Sequence, residues 1–272
     1  MPYLTLTDGT PLWVDDRGGD GPPLILLQGL QFDSDYFWQR NIDALASDNR
    51  VIAVDPRGQG LSGKPIGGHT IAQAAADLDE IVRTLGLTRV CLVGVAFGGL
   101  IALRYIEQFG SSTLRSLVLC EMTPRLSSTD GWAHPTFGDF PVEAAAGYGD
   151  LVRADRGVLA GFLQAAFAQP NDDATMARIM AQTWLTPTAA VADYIDDMAR
   201  QDFRALIPTI EVPLLALYGR KNNPVMPGDV GRWIAEAAPR GELVELANAG
   251  HSPFWDDAPA FNRAVLDFAA AH

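Results

Sequence analysis

The segment at residues 94–99, which reads Gly-Val-Ala-Phe-Gly-Gly, constrains the fold more than any other part of the 272-residue chain. It follows a continuously apolar run at 90–93 and precedes a stretch at 100–109 with apolar residues at helical spacing. The glycines on either side of Val-Ala-Phe permit a tight turn with close approach of two backbones. The segment therefore predicts a buried strand that turns sharply into a helix and raises the side chain of Ala96 at the turn.

Short apolar runs alternate with segments of helical periodicity along most of the chain. The continuously apolar runs, which are typical of strands covered on both faces of a parallel sheet, lie at 24–27, 51–54, 90–93 and 117–120. The runs at 214–218 and 243–246, the second of which contains Glu245, are weaker examples. Helical periodicity is present at 71–85, 100–109, 230–238 and 258–271. Residues 3–6 and 12–15 are typical of an antiparallel hairpin at one edge. This alternation predicts a doubly wound α/β sheet.

The alternation stops between residues 124 and 207, where the sequence contains no convincing strand. Helical patches in this stretch lie at 150–168, 173–184 and 188–206. We therefore predict an α/β core formed by residues 1–123 and 208–272, with a helical cap at 124–207 inserted into it.

The charge of the chain limits its partners. Its formal net charge is −13, which disfavours nucleic acid and anionic membrane surfaces as partners. The sequence opens without a basic and apolar leader, and no apolar run reaches the roughly 18–20 residues of a membrane span. Cys91 and Cys120 lie in apolar runs, which indicates reduced core thiols. We expect a cytoplasmic protein whose oligomeric state is open, with a homodimer as one option.

Three further motifs accompany the turn at 94–99. Residues 27–30 read Leu-Gln-Gly-Leu, residues 54–62 read Val-Asp-Pro-Arg-Gly-Gln-Gly-Leu-Ser, and residues 248–254 read Asn-Ala-Gly-His-Ser-Pro-Phe. In this order the four motifs resemble the oxyanion loop, the Asp-x-Arg-Gly-x-Gly-x-Ser turn, the nucleophile elbow and the histidine loop of the α/β-hydrolase superfamily. The resemblance covers essentially the whole chain. It implies a mostly parallel eight-stranded sheet with helices on both faces and a helical cap.

The resemblance also implies a set of site residues. Ala96 occupies the nucleophile position, and His251 is the expected base, because an imidazole titrates near neutral pH. Backbone N–H groups of Gly29, Leu30 and Phe97 are the expected oxyanion hole.

The acid of the expected triad is not at its usual place. Most relatives carry it in a Gly-x-x-Asp segment, whereas residues 219–224 here read Gly-Arg-Lys-Asn-Asn-Pro. Asn222 holds no charge to oppose an imidazolium. Glu121 directly follows the apolar run at 117–120, at the edge of the sheet where the elbow also lies. We predict Glu121 as the acid, which keeps the chain order nucleophile, acid, base; a glutamate that merely caps the linker to the cap is the alternative.

Two known groups with the acid after this strand are similar to the chain. The sequence at 121–126, Glu-Met-Thr-Pro-Arg-Leu, resembles the corresponding segment of the zearalenone-type lactone hydrolases. More distantly, the arrangement resembles the cofactor-free ring-cleaving dioxygenases of the 3-hydroxy-4-quinolone type, whose chemistry depends chiefly on a histidine–acid dyad.

Alanine at position 96 has no nucleophilic atom, so the chain as written cannot form an acyl-enzyme. One explanation is a deliberate Ser→Ala substitution that inactivates an ester or lactone hydrolase with a Ser-Glu-His triad. The other is a native alanine. The protein would then be a non-covalent His-Glu acid/base enzyme, such as a cofactor-free oxygenase or lyase, or a binding protein without catalysis.

Aromatic residues are frequent in the predicted cap and beside the motifs. They indicate a small apolar or aromatic ester or lactone as substrate, although each aromatic side chain taken singly is more typical of packing. The residues that we expect to line the pocket are Trp132, Trp184, Phe32 and Phe254. The glycines at 94–99 lack the spacing of a dinucleotide-binding loop, and no metal-binding cluster is evident, so we expect no cofactor and no metal.

Overall fold

The computed structural model describes residues 2–272 and contains one eight-stranded sheet with the strand order β1-β2-β4-β3-β5-β6-β7-β8. The strands are β1 (Tyr3–Thr5), β2 (Pro11–Asp16), β3 (Pro23–Leu27), β4 (Arg50–Val54), β5 (Val90–Val95), β6 (Leu114–Cys120), β7 (Leu214–Gly219) and β8 (Gly241–Leu246). β1 pairs antiparallel with β2 and β2 antiparallel with β4, whereas all pairs from β4 to β8 are parallel. The predicted α/β fold and edge hairpin are confirmed.

Helices cover the sheet and fill the long connection between β6 and β7. They are α1 (Ser34–Phe37), α2 (Ile42–Leu45), α3 (Ile71–Thr84), α4 (Phe97–Phe109), α5 (Val142–Ala154), α6 (Leu159–Ala165), α7 (Asp173–Thr183), α8 (Thr188–Met198), α9 (Val230–Ala237), α10 (Pro253–Asp256) and α11 (Ala258–Ala271). Among residues 2–272, no helix has the length and apolar character needed to cross a membrane.

The core has one apolar layer on each face of the sheet. On β5, Leu92 belongs to one layer, whereas Cys91 and Val93 belong to the other, because successive side chains of a strand point to opposite faces. Both layers are covered by helices, which explains why the central strands are continuously apolar rather than alternating. Cys91 and Cys120 are buried and unbridged.

The connection between β6 and β7 packs onto the core through α8. Tyr194 donates from its hydroxyl to the carbonyl of Arg57 at 2.9 Å, and Asp197 accepts from the N–H of Ile71, the first residue of α3, at 2.8 Å. These two bonds connect α8 of the insertion to the loop after β4 and to the start of α3. The division into a core and a cap at residues 124–207 stays a prediction.

One expected helix of the insertion is divided in the structure. The patch at 150–168 forms the end of α5, a short 3₁₀ turn at Arg156–Val158 and then α6. Asp155 has extended backbone angles, and its side chain accepts from the N–H of Gly157 at 2.7 Å. This local bond competes with the helical pattern and ends α5.

Candidate active site

Ala96 joins β5 to α4 in a backbone conformation that side-chain-bearing residues rarely adopt. Its φ is 48° and its ψ is −108°, a combination that costs an L-residue on the order of 1–3 kcal/mol. The turn is held from both sides, since Ala96 donates its N–H to the Cys120 carbonyl at 2.9 Å and accepts from the Gly99 N–H at 3.0 Å. The strain is thus imposed by the strand-to-helix turn that the sequence predicts.

The glycines around Ala96 are required by close backbone contacts. A Cβ atom at Gly98 would lie 2.2 Å from the carbonyl oxygen of Leu27 on β3, and one at Gly94 would lie 2.6 Å from the Gly98 carbonyl oxygen. The helix can begin this close to the sheet only without side chains at these positions.

We expect Gly98→Ala to lower the free energy of unfolding by about 3 kcal/mol or more, because a backbone atom must move to admit the methyl group. In a thermal melt this is a loss of roughly 6 °C or more for a chain of this size. Gly161→Ala on α6 is the matched control, since nothing lies within 4 Å of its added Cβ. Equal melting temperatures for the two variants would show that the turn is not as tight as described.

Glu121 lies directly after β6 and is fully buried, with φ of 51°. One carboxylate oxygen, Oε1, accepts from the Gly219 N–H at 2.6 Å. The other, Oε2, lies 2.8 Å from Nδ2 of Asn223 and 3.0 Å from Nδ1 of His251. The structure thus brings Glu121 and His251, the predicted acid and base, into direct contact although they are far apart in the sequence.

His251 is held at the end of the loop that follows β8. The preceding residue, Gly250, donates its N–H to Oδ2 of Asp256 at 2.8 Å, and Ala168 of the insertion donates to the same oxygen at 3.0 Å. Burial raises the pKa of Asp256 above its ordinary value. Because Nδ1 of His251 is bonded to Glu121, Nε2 is the ring nitrogen left to exchange a proton at the cavity, whose wall includes His251.

The loop after β3 carries the predicted oxyanion donors Gly29 and Leu30, which line the same cavity as Ala96 and Phe97. Gln28 precedes Gly29 in this loop, and its Nε2 donates to Oδ1 of Asp55 at 3.1 Å. The loop is therefore tied to the buried carboxyl at the end of β4. Phe97 is the first residue of α4, and a helix leaves its first N–H groups without an intrahelical acceptor.

Asp55 anchors this side of the site. Its carboxylate accepts from the N–H groups of Ser34 at 2.6 Å and Leu61 at 2.7 Å. Burial raises the pKa of Asp55 to about 6, and these N–H bonds oppose that rise. The Asp-x-Arg-Gly-x-Gly-x-Ser segment thus holds the oxyanion loop through hydrogen bonds to Asp55 and does not line the cavity.

A cavity of about 170 Å³ lies between the elbow and the inserted helices. Among the described residues that line it there is no Asp, Glu, Lys or Arg, so His251 is the one side chain there that can carry a positive charge. The aromatic members of the wall are Phe32, Tyr36, Phe37, Phe97, Phe137, Phe140, Tyr148, Phe162, Phe167, Phe254 and Trp255. Such a wall suits an uncharged, largely apolar ligand.

Two of the four predicted pocket residues, Phe32 and Phe254, belong to this wall, whereas Trp132 and Trp184 do not. Trp132 is buried elsewhere: its ring packs edge-on against Trp233 at 5.0 Å, and its Nε1 donates to the Arg125 carbonyl at 3.0 Å. Trp184 is 62% exposed at the end of α7. The expectation that these two tryptophans line the pocket was wrong, because the abundance of aromatic residues in the insertion does not tell which of them face the cavity. Trp132 lies in a loop, and Trp184 directly follows α7.

The structure adds one polar residue that sequence reasoning did not select. Asn223, the neighbour of Asn222, donates to Glu121, whereas Asn222 donates to the Ala168 carbonyl at 3.1 Å. The signal that could have found Asn223 is that it directly follows Asn222, the position at which a Gly-x-x-Asp segment would carry its acid. Within residues 2–272, no three His, Cys, Asp or Glu side chains are grouped as metal ligands would be.

The chain is similar to known proteins in both sequence and structure. A family model described as "alpha/beta hydrolase fold" matches residues 22–258. A non-heme haloperoxidase from Rhodococcus erythropolis is 30% identical over 98% of this chain and 99% of that protein. An esterase from Exiguobacterium antarcticum superposes with a TM-score of 0.89 at 25% identity, over 98% of both chains. The enol-lactonase from Burkholderia xenovorans superposes with a TM-score of 0.81 at 26% identity, over 99% of this chain and 100% of that one.

Proposed function

Because the chain belongs to the α/β-hydrolase family, we propose that its site is that of an ester or lactone hydrolase for small apolar substrates, present here without its nucleophile. The observation that carries the proposal is the hydrogen bond between Glu121 and His251, at 3.0 Å, in a site whose strained elbow ends in Ala96. An esterase and an enol-lactonase among the similar structures support the reaction class.

Each residue has a distinct role in the proposed reaction. A serine at position 96 would lose its proton to Nε2 of His251 and attack the substrate carbonyl carbon. The N–H groups of Phe97 and Leu30, beside Gly29, would donate to the oxygen that becomes negative. Glu121 would hold the imidazole in the tautomer with a proton on Nδ1 and stabilise the imidazolium once it forms.

Alanine at position 96 blocks one step of the proposed reaction. The chain as it stands has no oxygen at position 96 to bond to the acyl carbon, so ester binding and carbonyl polarisation remain but acyl-enzyme formation does not. The natural counterpart of this site would then carry serine at position 96.

The apolar wall of the cavity supports a restriction on the charge of the substrate. A ligand carboxylate placed among its apolar side chains would lose its hydration without gaining a cationic partner, which costs several kcal/mol. The favoured substrate is an uncharged aromatic or alicyclic ester or lactone.

Equilibrium binding to the alanine protein tests this restriction, because turnover does not interfere. We expect methyl 4-methylbenzoate to bind at least about 100-fold more tightly than monomethyl terephthalate at pH 7.5, since the two differ by a methyl group against a carboxylate. Isothermal titration calorimetry measures both dissociation constants.

Two variants control this binding experiment. Phe32→Ala, inside the cavity, is expected to weaken binding of the neutral ester by roughly 10-fold through lost apolar contact. Trp184→Ala, outside the cavity, is expected to leave the dissociation constant within twofold. Equal affinity for the neutral and charged esters would contradict the apolar assignment.

A second candidate follows from Ala96 itself. A His–Glu pair does not need a hydroxyl to remove a proton from a bound substrate, so a native alanine would fit a non-covalent acid/base enzyme, such as a cofactor-free oxygenase or lyase. That candidate predicts turnover by the chain as it stands, abolished by His251→Ala. Ligand binding without turnover in either the alanine or the serine form would instead indicate a binding protein.

A further inference from the structure

The side-chain amide of Asn223 touches the acid of the proposed triad and has a single allowed orientation. Its Oδ1 accepts from the Met226 N–H at 3.0 Å. Its Nδ2 lies 2.8 Å from Oε2 of Glu121 and 3.3 Å from the Gly219 carbonyl oxygen. A backbone N–H can only donate and a carbonyl can only accept, so the amide cannot be turned over without losing these bonds. Both of its N–H groups are therefore committed, one of them to Glu121.

Glu121 depends on such donors because it is fully buried. Among residues 2–272, no lysine or arginine nitrogen lies within 4.0 Å of its carboxylate, and His251 is its one ion-pair partner. A buried carboxylate without a cation stays ionised only when hydrogen bonds stabilise the charge. The Gly219 N–H and the Asn223 amide supply these bonds to the two oxygens.

Asn223 and His251 share one oxygen of Glu121, Oε2. Removing the amide would leave that oxygen with the imidazole alone and favour protonation of the carboxyl group. A protonated Glu121 could turn its own O–H toward His251, and the imidazole would lose the acceptor that fixes its tautomer.

We propose that Asn223 is a positioning residue that keeps Glu121 ionised and aimed at His251. The role as an aid to hydrolysis rests on the proposed function, whereas the effect on His251 does not. The same amide also holds the Met226 N–H, and Met226 lines the cavity. Asn223 thus links the orientation of the acid to one wall of the ligand pocket.

Titration of the His251 imidazole by NMR, in the alanine protein as it exists, tests this proposal. The resonances are assigned by their loss in His251→Ala. Asn223→Ala removes the amide donor from Oε2 of Glu121 and so favours protonation of that carboxyl group. A protonated Glu121 no longer stabilises the imidazolium, so we expect the pKa of His251 to fall by about one unit or more in this variant.

Asn222→Ala is the matched control, because it removes the same side-chain amide from the same loop while Asn222 bonds to the Ala168 carbonyl and not to Glu121. It is expected to change the pKa of His251 by less than about a third of the Asn223→Ala effect. If the two variants shift His251 equally, or if a folded Asn223→Ala protein shows no shift, the positioning role is overturned.

A second variant covers the case in which Asn223→Ala does not fold. Asn223→Asp keeps nearly the same shape but loses the amide donor; combined with Ala96→Ser, it is expected to lower kcat by roughly 10- to 100-fold relative to Ala96→Ser alone, the usual cost of losing a residue that orients a catalytic group. Unchanged kcat with an active serine variant overturns the positioning role. An inactive serine variant with the expected His251 shift overturns the hydrolase and leaves the positioning role standing.

Discussion

Ala96→Ser is expected to raise the turnover of an activated aryl ester such as p-nitrophenyl butyrate by about 10⁴-fold or more. Loss of a triad serine costs on the order of 10⁶ in turnover when base, acid and oxyanion hole are retained. Here the Glu121–His251 pair is assembled at 3.0 Å and residue 96 already has the strained backbone angles of the turn. The added oxygen therefore needs no rearrangement of the chain. Release of p-nitrophenolate measures the gain directly.

Two variants separate the hydroxyl from other effects of changing this residue. Ala96→Gly relieves the backbone strain without adding an oxygen and is expected to stay inactive. Adding His251→Ala to Ala96→Ser is expected to remove nearly the whole gain, because the serine then lacks its base. Turnover by the glycine variant equal to that of the serine variant would contradict the nucleophile assignment.

Glu121→Gln, made in the Ala96→Ser background, is expected to lower kcat by on the order of 10⁴-fold. The new amide is nearly the same size as the carboxyl group. With its oxygen on the Gly219 N–H, its NH₂ group would face the donors of Asn223 and His251. The imidazole would then move its proton to Nε2, which removes the lone pair that accepts the serine proton.

Glu245→Gln on β8 is the matched control, since Glu245 pairs with Arg220 and Arg232 away from the site. It removes the same charge and is expected to leave kcat within twofold. A Glu121→Gln protein that folds and keeps more than about a tenth of the activity would show that another group orients His251.

The parallel sheet and the elbow were predictable from the sequence because both depend on local patterns. Continuously apolar runs are typical of strands covered on both faces. The glycines at 94 and 98 allow α4 to begin in close contact with the neighbouring backbone. The position of Glu121 was also predictable, since a carboxylate directly after a buried parallel strand must lie at the sheet edge where its neighbours end. The order of the strands, in which β7 lies between β6 and β8, brings the segments that carry Glu121 and His251 to the same edge.

The packing of the inserted segment was less predictable from the sequence. The abundance of aromatic residues in the insertion does not say what each ring packs against. Trp132, in a loop, packs on Trp233, and Trp184, directly after α7, remains exposed. The division of one expected helix at Asp155 depends on a single local hydrogen bond. Asn223 shows a further limit, because the orientation of its amide depends both on the nearby residues Gly219 and Met226 and on Glu121, which is distant in the sequence.

The most direct measurement of the central claim is the intact mass of the Ala96→Ser protein after treatment with a fluorophosphonate that phosphonylates activated serines. We propose that the site lacks one oxygen atom and is otherwise assembled. A single adduct, located at position 96, is expected, and none in the alanine protein or when His251→Ala is added. A correctly folded serine variant that acquires no adduct would contradict this claim.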